Sequence, residues 1–303
     1  MRHCMSNSTN AKLPEIAVLQ PAMTEAFPEL AGLPFNVLNH SWDSVAIDVD
    51  DSFIFKFPRS TKAKVALQRE SRFLAHIRPR VWLAVPDMSI HSGPPLFSRH
   101  RKIKGEHLEN FAALSDRARS ETASKLGQFY AQLHQLDAIT MVSFGAQPLP
   151  DWGPAANVLT RAITLLPPTL HEFANRTVHD WANLPPDPHG LTYGFFDGHG
   201  WNMAFDHETQ SLNGIYDFAD SGIAPIHQEF VYSSLTSAAL TAGILKAYEK
   251  ETGRKLDRHR LWILTAMHRL WELADPTDGE EHIPAKILRV AAWAATDVSV
   301  LTP

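Results

Sequence analysis

The sequence predicts an α+β protein of two lobes, in which a small antiparallel β-sheet with one long helix precedes a larger, mainly helical region. Short β-rich runs separated by turn residues fill the early part of the chain, and segments with helical periodicity fill most of the rest. A chain of 303 residues with 44% hydrophobic content can bury a large core, which suits one large domain or two lobes. We expect residues 1–13 to form a flexible tail, residues 14–103 the smaller lobe and residues 104–303 the helical lobe.

The smaller lobe is predicted from β-rich runs that alternate with turns. Its first segment, 15–30, has helical spacing interrupted by prolines. Three strands are expected next, and the turn 50–52 separates the last two of them. Two further runs are expected to complete the sheet. The five predicted strands are Phe35–His40, Ser44–Val49, Phe53–Phe57, Pro86–Gly93 and Leu96–Ile103.

A lysine in the third strand and a glutamate in the following helix are the first candidate site residues. Lys56 lies between Phe55 and Phe57, so strand alternation places its side chain on the opposite face from the two aromatic rings. An amphipathic helix is predicted from Thr61, and it contains Glu70. Kinases use a strand lysine held by a helix glutamate to position the α- and β-phosphates of the nucleotide. We therefore predict a Lys56–Glu70 ion pair; the alternative is two unrelated solvated charges.

The larger lobe is predicted from apolar residues that recur with helical periodicity. Polar or proline-rich stretches separate these segments, and none of the stretches has the composition of an interdomain linker. The predicted helices are 120–136, 155–166, 169–184, 225–251, 258–274 and 283–295.

One stretch of this lobe carries most of the predicted chemistry. Asn202 follows Asp197 by five residues, and after an apolar strand Asp217 begins a second acidic turn. A hydroxyl that attacks a γ-phosphate needs an acceptor for its proton, and the transferring group needs cations to neutralise its charge. We assign Asp197 as the proton acceptor. Asn202 and Asp217 are assigned as oxygen ligands for Mg²⁺, which prefers hard oxygen donors.

These residues resemble the aminoglycoside phosphotransferase family, the small-molecule branch of the protein-kinase-like fold. The matching positions are Asp197, His199, Asn202 and the segment 215–220, whereas Phe195-Phe196 replaces the usual His-Gly and Ala219 the usual Gly. The resemblance implies a bilobal protein-kinase-like fold that uses ATP or GTP as phosphate donor together with Mg²⁺. It places the nucleotide in residues 14–103 and the catalytic loop and acceptor pocket in residues 104–303.

The turn before the second strand is similar to the nucleotide loop of this family. The segment 41–46 contains Ser41 and Ser44, and we predict that one of these hydroxyls contacts phosphate. The turn lacks the glycines that usually let a backbone approach phosphate, so an ordinary hairpin turn is the alternative.

Composition excludes several other classes of protein. A formal net charge of −5 and a pI near 6.3 provide no general attraction to nucleic acid or to an anionic membrane. The single cysteine, Cys4, excludes an internal disulfide framework. There is no Gly-x-x-x-x-Gly-Lys-Ser/Thr motif, and the spacing of His189, His199 and His227 does not favour a metal site. We expect a cytoplasmic protein whose oligomeric state the sequence leaves open.

Together these features predict a phosphotransferase that moves the γ-phosphate of ATP or GTP to a hydroxyl of a small molecule. An aminoglycoside-like compound or an amino alcohol is the first candidate for the acceptor. A choline, homoserine or fructosamine type of metabolite kinase is an alternative. A nucleotide-binding pseudokinase without turnover is another, because of the replacements at Phe195, Phe196 and Ala219.

Overall fold

The computed structural model describes residues 16–38, 43–277 and 279–302. The predicted tail, residues 1–13, and the candidate phosphate ligand Ser41 lie outside these ranges.

The smaller lobe is built on a five-stranded antiparallel sheet with the strand order β1-β2-β3-β5-β4. A helix, α1, packs its Leu19 and Met23 on one face, against Val45, Phe55 and other buried side chains of the sheet. Phe55 and Phe57 belong to the same buried cluster as α1. Lys56 lies between them in β3, so its side chain lies on the opposite face of the sheet, as predicted, beside its strand partners Ala46 and Ser98. The elements are α1 (Ile16–Ala26), β1 (Phe35–Leu38), β2 (Ser44–Val49), β3 (Phe53–Pro58), β4 (Ser89–His91) and β5 (Phe97–Arg101).

Helix α2 (Thr61–Ile77) connects the sheet with the rest of the molecule. It begins where the Ser60 hydroxyl accepts a hydrogen bond from the Ala63 amide at 3.1 Å, which satisfies one of the free amides of the first turn. Its apolar side, including Phe73 and Leu74, belongs to the main hydrophobic core. The same side carries Glu70, which is fully buried.

The larger lobe is mainly helical and surrounds that core. Helices α3 and α7 approach closely at Gly127, where a Cβ atom would lie 2.6 Å from the Ala247 Cβ and 2.8 Å from the Tyr248 amide nitrogen. No helix within the described ranges is long and apolar enough to cross a membrane. The helices are α3 (Asp116–Leu133), α4 (Ala138–Ser143), α5 (Ala155–Leu165), α6 (His171–Ala182), α7 (Ala238–Thr252), α8 (Arg258–Ala274) and α9 (Ile283–Ala294).

Two small antiparallel strand pairs lie between α6 and α7 and carry the loops of the site. Strand β6 (Leu191–Gly194) pairs with β9 (Gly222–Pro225), and β7 (Met203–Asp206) pairs with β8 (Ser211–Ile215). The loop after β6 contains Asp197 and Asn202, and the loop after β8 contains Asp217. The two strand pairs thus present both acidic loops side by side.

The prediction of one helix over 225–251 is wrong. The structure has short 3₁₀ turns at Ile226–Phe230 and Tyr232–Leu235, and α7 begins only at Ala238. Serine hydroxyls compete for the backbone here: Ser233 donates to the Phe230 carbonyl and also lies 2.8 Å from the Thr241 hydroxyl. The remaining predicted helices are present: α8 has the predicted bounds, and the ends of the others differ from the prediction by at most four residues. The short α4 was not predicted.

Candidate active site

The predicted Lys56–Glu70 pair is present, and a second carboxylate joins it. Lys56 Nζ lies 3.3 Å from Glu70 Oε1 and 3.1 Å from Asp217 Oδ1. Strand β3, helix α2 and the loop after β8 therefore meet at one ammonium group. Only 14% of the lysine side chain is exposed, whereas the Asp217 side chain is 43% exposed and reaches the cleft.

The three groups form a tightly coupled charge cluster. Burial alone would lower the pKa of Lys56, but Asp217 and Glu70 outweigh it and raise that pKa above its ordinary value. Burial also raises the pKa of Glu70 in spite of the adjacent ammonium. The geometry indicates that Lys56 is charged, because its ammonium group contacts two carboxylates. A fixed cation with little freedom to move is suited to holding phosphate oxygens.

Helix α2 also holds the backbone of the Asp217 loop. The amide of Phe218 donates to Glu70 Oε1 at 3.1 Å, and the Arg69 guanidinium donates to the Ala219 carbonyl at 2.8 Å. Asp217 has a φ of 69°, in the left-handed region that asparagine and aspartate tolerate better than most residues. The loop after β8 is thereby fixed by two consecutive residues of one helix.

Asp197 and Asn202 contact each other at the two ends of the candidate catalytic loop. The Asn202 Nδ2 group donates to Asp197 Oδ2 at 2.7 Å and to the Asp197 carbonyl at 3.0 Å. Both residues are buried, with 8% and 7% of their surface exposed. Since the amide nitrogen of Asn202 is used within the loop, its Oδ1 atom is the group left for a cation.

His199 lies beside the candidate base. Its Nε2 atom is 3.0 Å from Asp197 Oδ1. Burial lowers the pKa of His199, but the charge and hydrogen bonding of Asp197, together with the charges of Asp217 and Glu272, outweigh burial, and the net pKa is raised. Asp197 is therefore held through one oxygen by Asn202 and through the other by His199, which fixes the orientation of its carboxylate.

The arrangement of Asn202 and Asp217 fits a magnesium ion. The Tyr216 amide donates to the Asn202 carbonyl at 3.0 Å, so Asn202 and Asp217 flank the start of the β7–β8 pair. Among the described residues, no group of three or more His, Cys, Asp or Glu side chains could enclose a metal ion. Mg²⁺ usually takes only one or two protein ligands and completes its shell with phosphate and water. The partly exposed Asp217 carboxylate and the buried Asn202 carboxamide oxygen match that donor set.

Glu229 holds the catalytic loop, and sequence reasoning assigned it no role. Its carboxylate accepts the amide of Phe195 at Oε2 and the amide of Phe196 at Oε1, both at 2.8 Å. The His134 Nε2 atom lies 3.2 Å from Oε2, and its Nδ1 atom lies 2.9 Å from the Tyr248 hydroxyl. Because a carboxylate can only accept, Nε2 carries the proton and Nδ1 accepts from the tyrosine. All of these groups are buried.

Phe196 occupies a backbone conformation that explains why glycine is usual at this position. Its φ is 51°, in the left-handed region, which costs a bulky residue about 1–2 kcal/mol. The Glu229 hydrogen bond and the burial of the ring against Ala224 and Tyr232 offset that cost. Phe195 packs its ring on Phe218, with centroids 4.7 Å apart. Both phenylalanine rings therefore pack in the apolar interior, and the amides of Phe195 and Phe196 keep their hydrogen bonds to Glu229.

Close packing around the catalytic loop excludes side chains at its glycines. A Cβ atom on Gly198 would collide with the Tyr130 hydroxyl, and one on Gly200 would collide with the Leu108 carbonyl. Burial, followed by the charges of Glu229 and Asp197, raises the pKa of Tyr130 well above its ordinary value. This hydroxyl therefore remains neutral beside the loop.

The second predicted phosphate ligand, Ser44, lies at the start of β2. It is two residues before Ala46, the strand partner of Lys56, so alternation places both side chains on the Lys56 face of the sheet. The same face carries His100, whose pKa is lowered to about 3 by burial and by the charge of Lys56. A contact between phosphate and Ser41 or Ser44 stays a prediction.

The histidines considered for a metal site have other roles. His189 and His227 stack with centroids 5.5 Å apart, but His227 Nδ1 contacts Asp187 Oδ2 at 2.7 Å and its Nε2 accepts the Asp257 amide at 2.9 Å. This bridge joins the segment before β6 to the loop between α7 and α8. Asp187 is thus a structural carboxylate.

The fold and the arrangement of these loops define a phosphotransferase of the protein-kinase-like class. The sequence model of the phosphotransferase enzyme family, abbreviated APH, matches residues 35–262, and the chain belongs to this family. It is accordingly a small-molecule kinase by family. No curated protein sequence matches the chain significantly.

Solved structures with the same fold include aminoglycoside and macrolide phosphotransferases. The GDP complex of wild-type aminoglycoside 2'-phosphotransferase-IIIa has a TM-score of 0.77 at 19% identity and covers 93% of this chain and 99% of its own. Macrolide 2'-phosphotransferase type I has a TM-score of 0.67 at 17% identity, with 97% and 100% covered. The macrolide 2'-phosphotransferase MphH from Brachybacterium faecium has a TM-score of 0.64 at 17% identity, with 94% and 99% covered. At these identities the likeness establishes the bilobal α+β fold.

Proposed function

We propose that this protein transfers the γ-phosphate of ATP or GTP to a hydroxyl of a small molecule, with Mg²⁺ as the metal. The observation that carries the proposal is the meeting of Lys56 with Glu70 and Asp217, next to a loop in which Asn202 and His199 orient Asp197. Each group required for phosphoryl transfer has a candidate in one cleft.

The nucleotide is held between the sheet and the β7–β8 pair. Lys56 contacts the α- and β-phosphates, and Glu70 keeps its ammonium in place. Asn202 Oδ1 and the Asp217 carboxylate hold Mg²⁺, which neutralises charge on the phosphates when it is bound. Ser44 at the start of β2, or Ser41 outside the described residues, donates to a phosphate oxygen.

Asp197 acts on the acceptor. An incoming hydroxyl donates its hydrogen bond to the Asp197 carboxylate, which receives the proton as the oxygen bonds to phosphorus. The Asn202 amide and His199 keep the carboxylate in one orientation, so little reorganisation is needed in the transition state.

The charge of the cleft favours a cationic acceptor. Asp220 is exposed to solvent and lies close enough to Asp197 and Asp217 for their charges to act on it. The surrounding protein nevertheless raises the pKa of Asp220 to about 6, through burial on its other sides and the charge of Asp197. The negative charges of Asp197 and Asp220 repel each other, and an ammonium group placed between them would stabilise the ionised form of both carboxylates. An aminoglycoside-like compound or an amino alcohol, including choline-type or amino-sugar metabolites, supplies both the ammonium and the hydroxyl.

Retention of the whole constellation argues against the pseudokinase alternative. The replacements that suggested it, Phe195 and Phe196, keep the loop backbone bonded to Glu229. The single cysteine supports a cytoplasmic location for this activity.

An acceptor panel tests the proposal. Aminoglycosides, macrolides, choline, homoserine and ketosamines are each incubated with Mg²⁺ and either ATP or GTP, and phosphorylated product is followed by mass spectrometry. We expect product with at least one amine-bearing acceptor, and none when EDTA removes the metal. Nucleotide binding without product from any acceptor would favour the pseudokinase alternative.

A further inference from the structure

A second cavity lies on the face of the sheet opposite the candidate active site. It has a volume of about 440 Å³, within the range of roughly 300–1,000 Å³ typical of small-ligand pockets. Helix α1, strands β2 and β3, the first turn of α2 and the segment before β5 all contribute to its wall. None of its lining residues is one of the candidate catalytic, phosphate-binding or metal-binding side chains described above.

The wall of this cavity combines an apolar interior with cations at its edge. Leu19, Val45 and Phe57 are buried in the wall, with 9%, 2% and 4% of their surface exposed. Arg59 and Lys64 also line the cavity, and both are exposed to solvent. Neither cation forms an ion pair with any carboxylate in the described part of the chain.

Two cations that have no ion-pair partner among the described residues lie beside an apolar hollow, and this combination defines the chemistry of a ligand. An aliphatic chain would remove apolar wall from water, and an anionic head group would be attracted by both cations. A neutral ligand would use only the apolar part, and a cationic ligand would be repelled. We propose that this cavity binds an amphipathic carboxylate, a free aliphatic carboxylic acid of medium chain length, with its head group between Arg59 and Lys64.

Calorimetric titration with sodium decanoate, kept below its micelle concentration, tests the site. We expect saturable binding with one site per chain, which excess Mg-nucleotide does not displace. Decanol and decyltrimethylammonium, of matched chain length, are expected to bind at least roughly tenfold more weakly, the equivalent of about 1.4 kcal/mol. Equal affinity for decanol would overturn the role of the cations, and displacement by nucleotide would place the ligand in the other cleft.

Surface variants locate the binding without disturbing the fold. The double variant Arg59→Gln/Lys64→Gln changes two exposed side chains and is expected to weaken decanoate binding by roughly tenfold or more. Lys62→Gln removes a neighbouring exposed lysine that does not line the cavity, and it is expected to leave the affinity within about twofold of the parent. Leu96→Trp, which fills the cavity from a half-buried position, is expected to abolish binding. Unchanged affinity in the double variant or in Leu96→Trp would refute the proposal.

Discussion

Replacement of the carboxylate that holds the catalytic loop is the most informative perturbation of the structure. In Glu229→Gln one of the two oxygens that accept the Phe195 and Phe196 amides becomes an NH₂ group, which can only donate. A buried amide is then left without an acceptor, at a cost of about 1–3 kcal/mol, and the remaining bond loses the strength that the charge provided. We expect the free energy of unfolding to fall by about 2–4 kcal/mol. A domain with a stability of about 5–15 kcal/mol would remain folded.

The same substitution is expected to reduce catalysis more than nucleotide binding. Asp197 directly follows the two residues that Glu229 holds, and a displacement of about 1 Å at a reacting group can cost roughly 100-fold in rate. Lys56 and Glu70 are held by other contacts, so nucleotide affinity should change little.

Urea unfolding measures the expected loss of stability in Glu229→Gln, and nucleotide titration measures whether its nucleotide affinity is unchanged. A matched control variant is measured alongside. Glu251→Gln alters an exposed glutamate of α7 and should leave the free energy of unfolding within about 0.5 kcal/mol of the parent. If Glu229→Gln had the same free energy of unfolding as this control, the Glu229 carboxylate would not stabilise the catalytic loop. A parallel loss of nucleotide affinity would show that Glu229 supports the whole cleft instead.

Three further perturbations test separate contacts. Lys56→Met removes the ammonium between Glu70 and Asp217 and should weaken Mg-nucleotide binding by roughly tenfold or more in a calorimetric titration, whereas an unchanged affinity would contradict its assignment. Gly198→Ala should lower the melting temperature because its Cβ collides with the Tyr130 hydroxyl. Tyr130→Phe should partly restore that temperature, since the nearest remaining ring atom, Cζ, is 3.1 Å away; no restoration would mean that another atom causes the clash. Asp187→Asn removes a carboxylate whose side chain is 2% exposed. Burial would raise its pKa, but hydrogen bonds from His227 and His189, together with the charge of His227, outweigh burial and hold that pKa at about 2. Against the ordinary value of 3.8 this shift corresponds to about 2 kcal/mol, present above pH 4 and lost as the pH falls through about 2. The difference in unfolding free energy between Asp187→Asn and the parent should therefore shrink as the pH is lowered through this window, and a constant difference would contradict the role of ionisation.

The sequence was sufficient where local pattern decides the structure. The alternation around Lys56 and the helical periodicity around Glu70 predicted their meeting, because a strand and the helix that follows it pack together within a short stretch of chain. Asp197 and Asn202 were singled out by their five-residue spacing, and the structure places their side chains 2.7 Å apart in one short loop. Their roles as proton acceptor and metal ligand stay predictions.

Longer-range contacts were not predictable in the same way. The Lys56–Asp217 contact joins residues 161 apart, so only the packing of the two lobes brings them together. Glu229 lies 34 residues after Phe195 within a stretch that resembles an ordinary amphipathic helix. The one available signal was a lone carboxylate directly before three large apolar or aromatic residues, Phe230 to Tyr232, because a buried charge requires partners.

Transfer of phosphate by the parent protein and by its Asp197→Ala variant tests the assignment of the site most directly. With an acceptor from the panel and saturating Mg-nucleotide, phosphorus NMR measures the rate at which the phosphoester forms. We expect the variant to bind nucleotide like the parent and to form product at least about 100-fold more slowly, the contribution typical of a general base. Equal rates would show that Asp197 does not receive the proton and that the chemistry of this cleft is assigned wrongly.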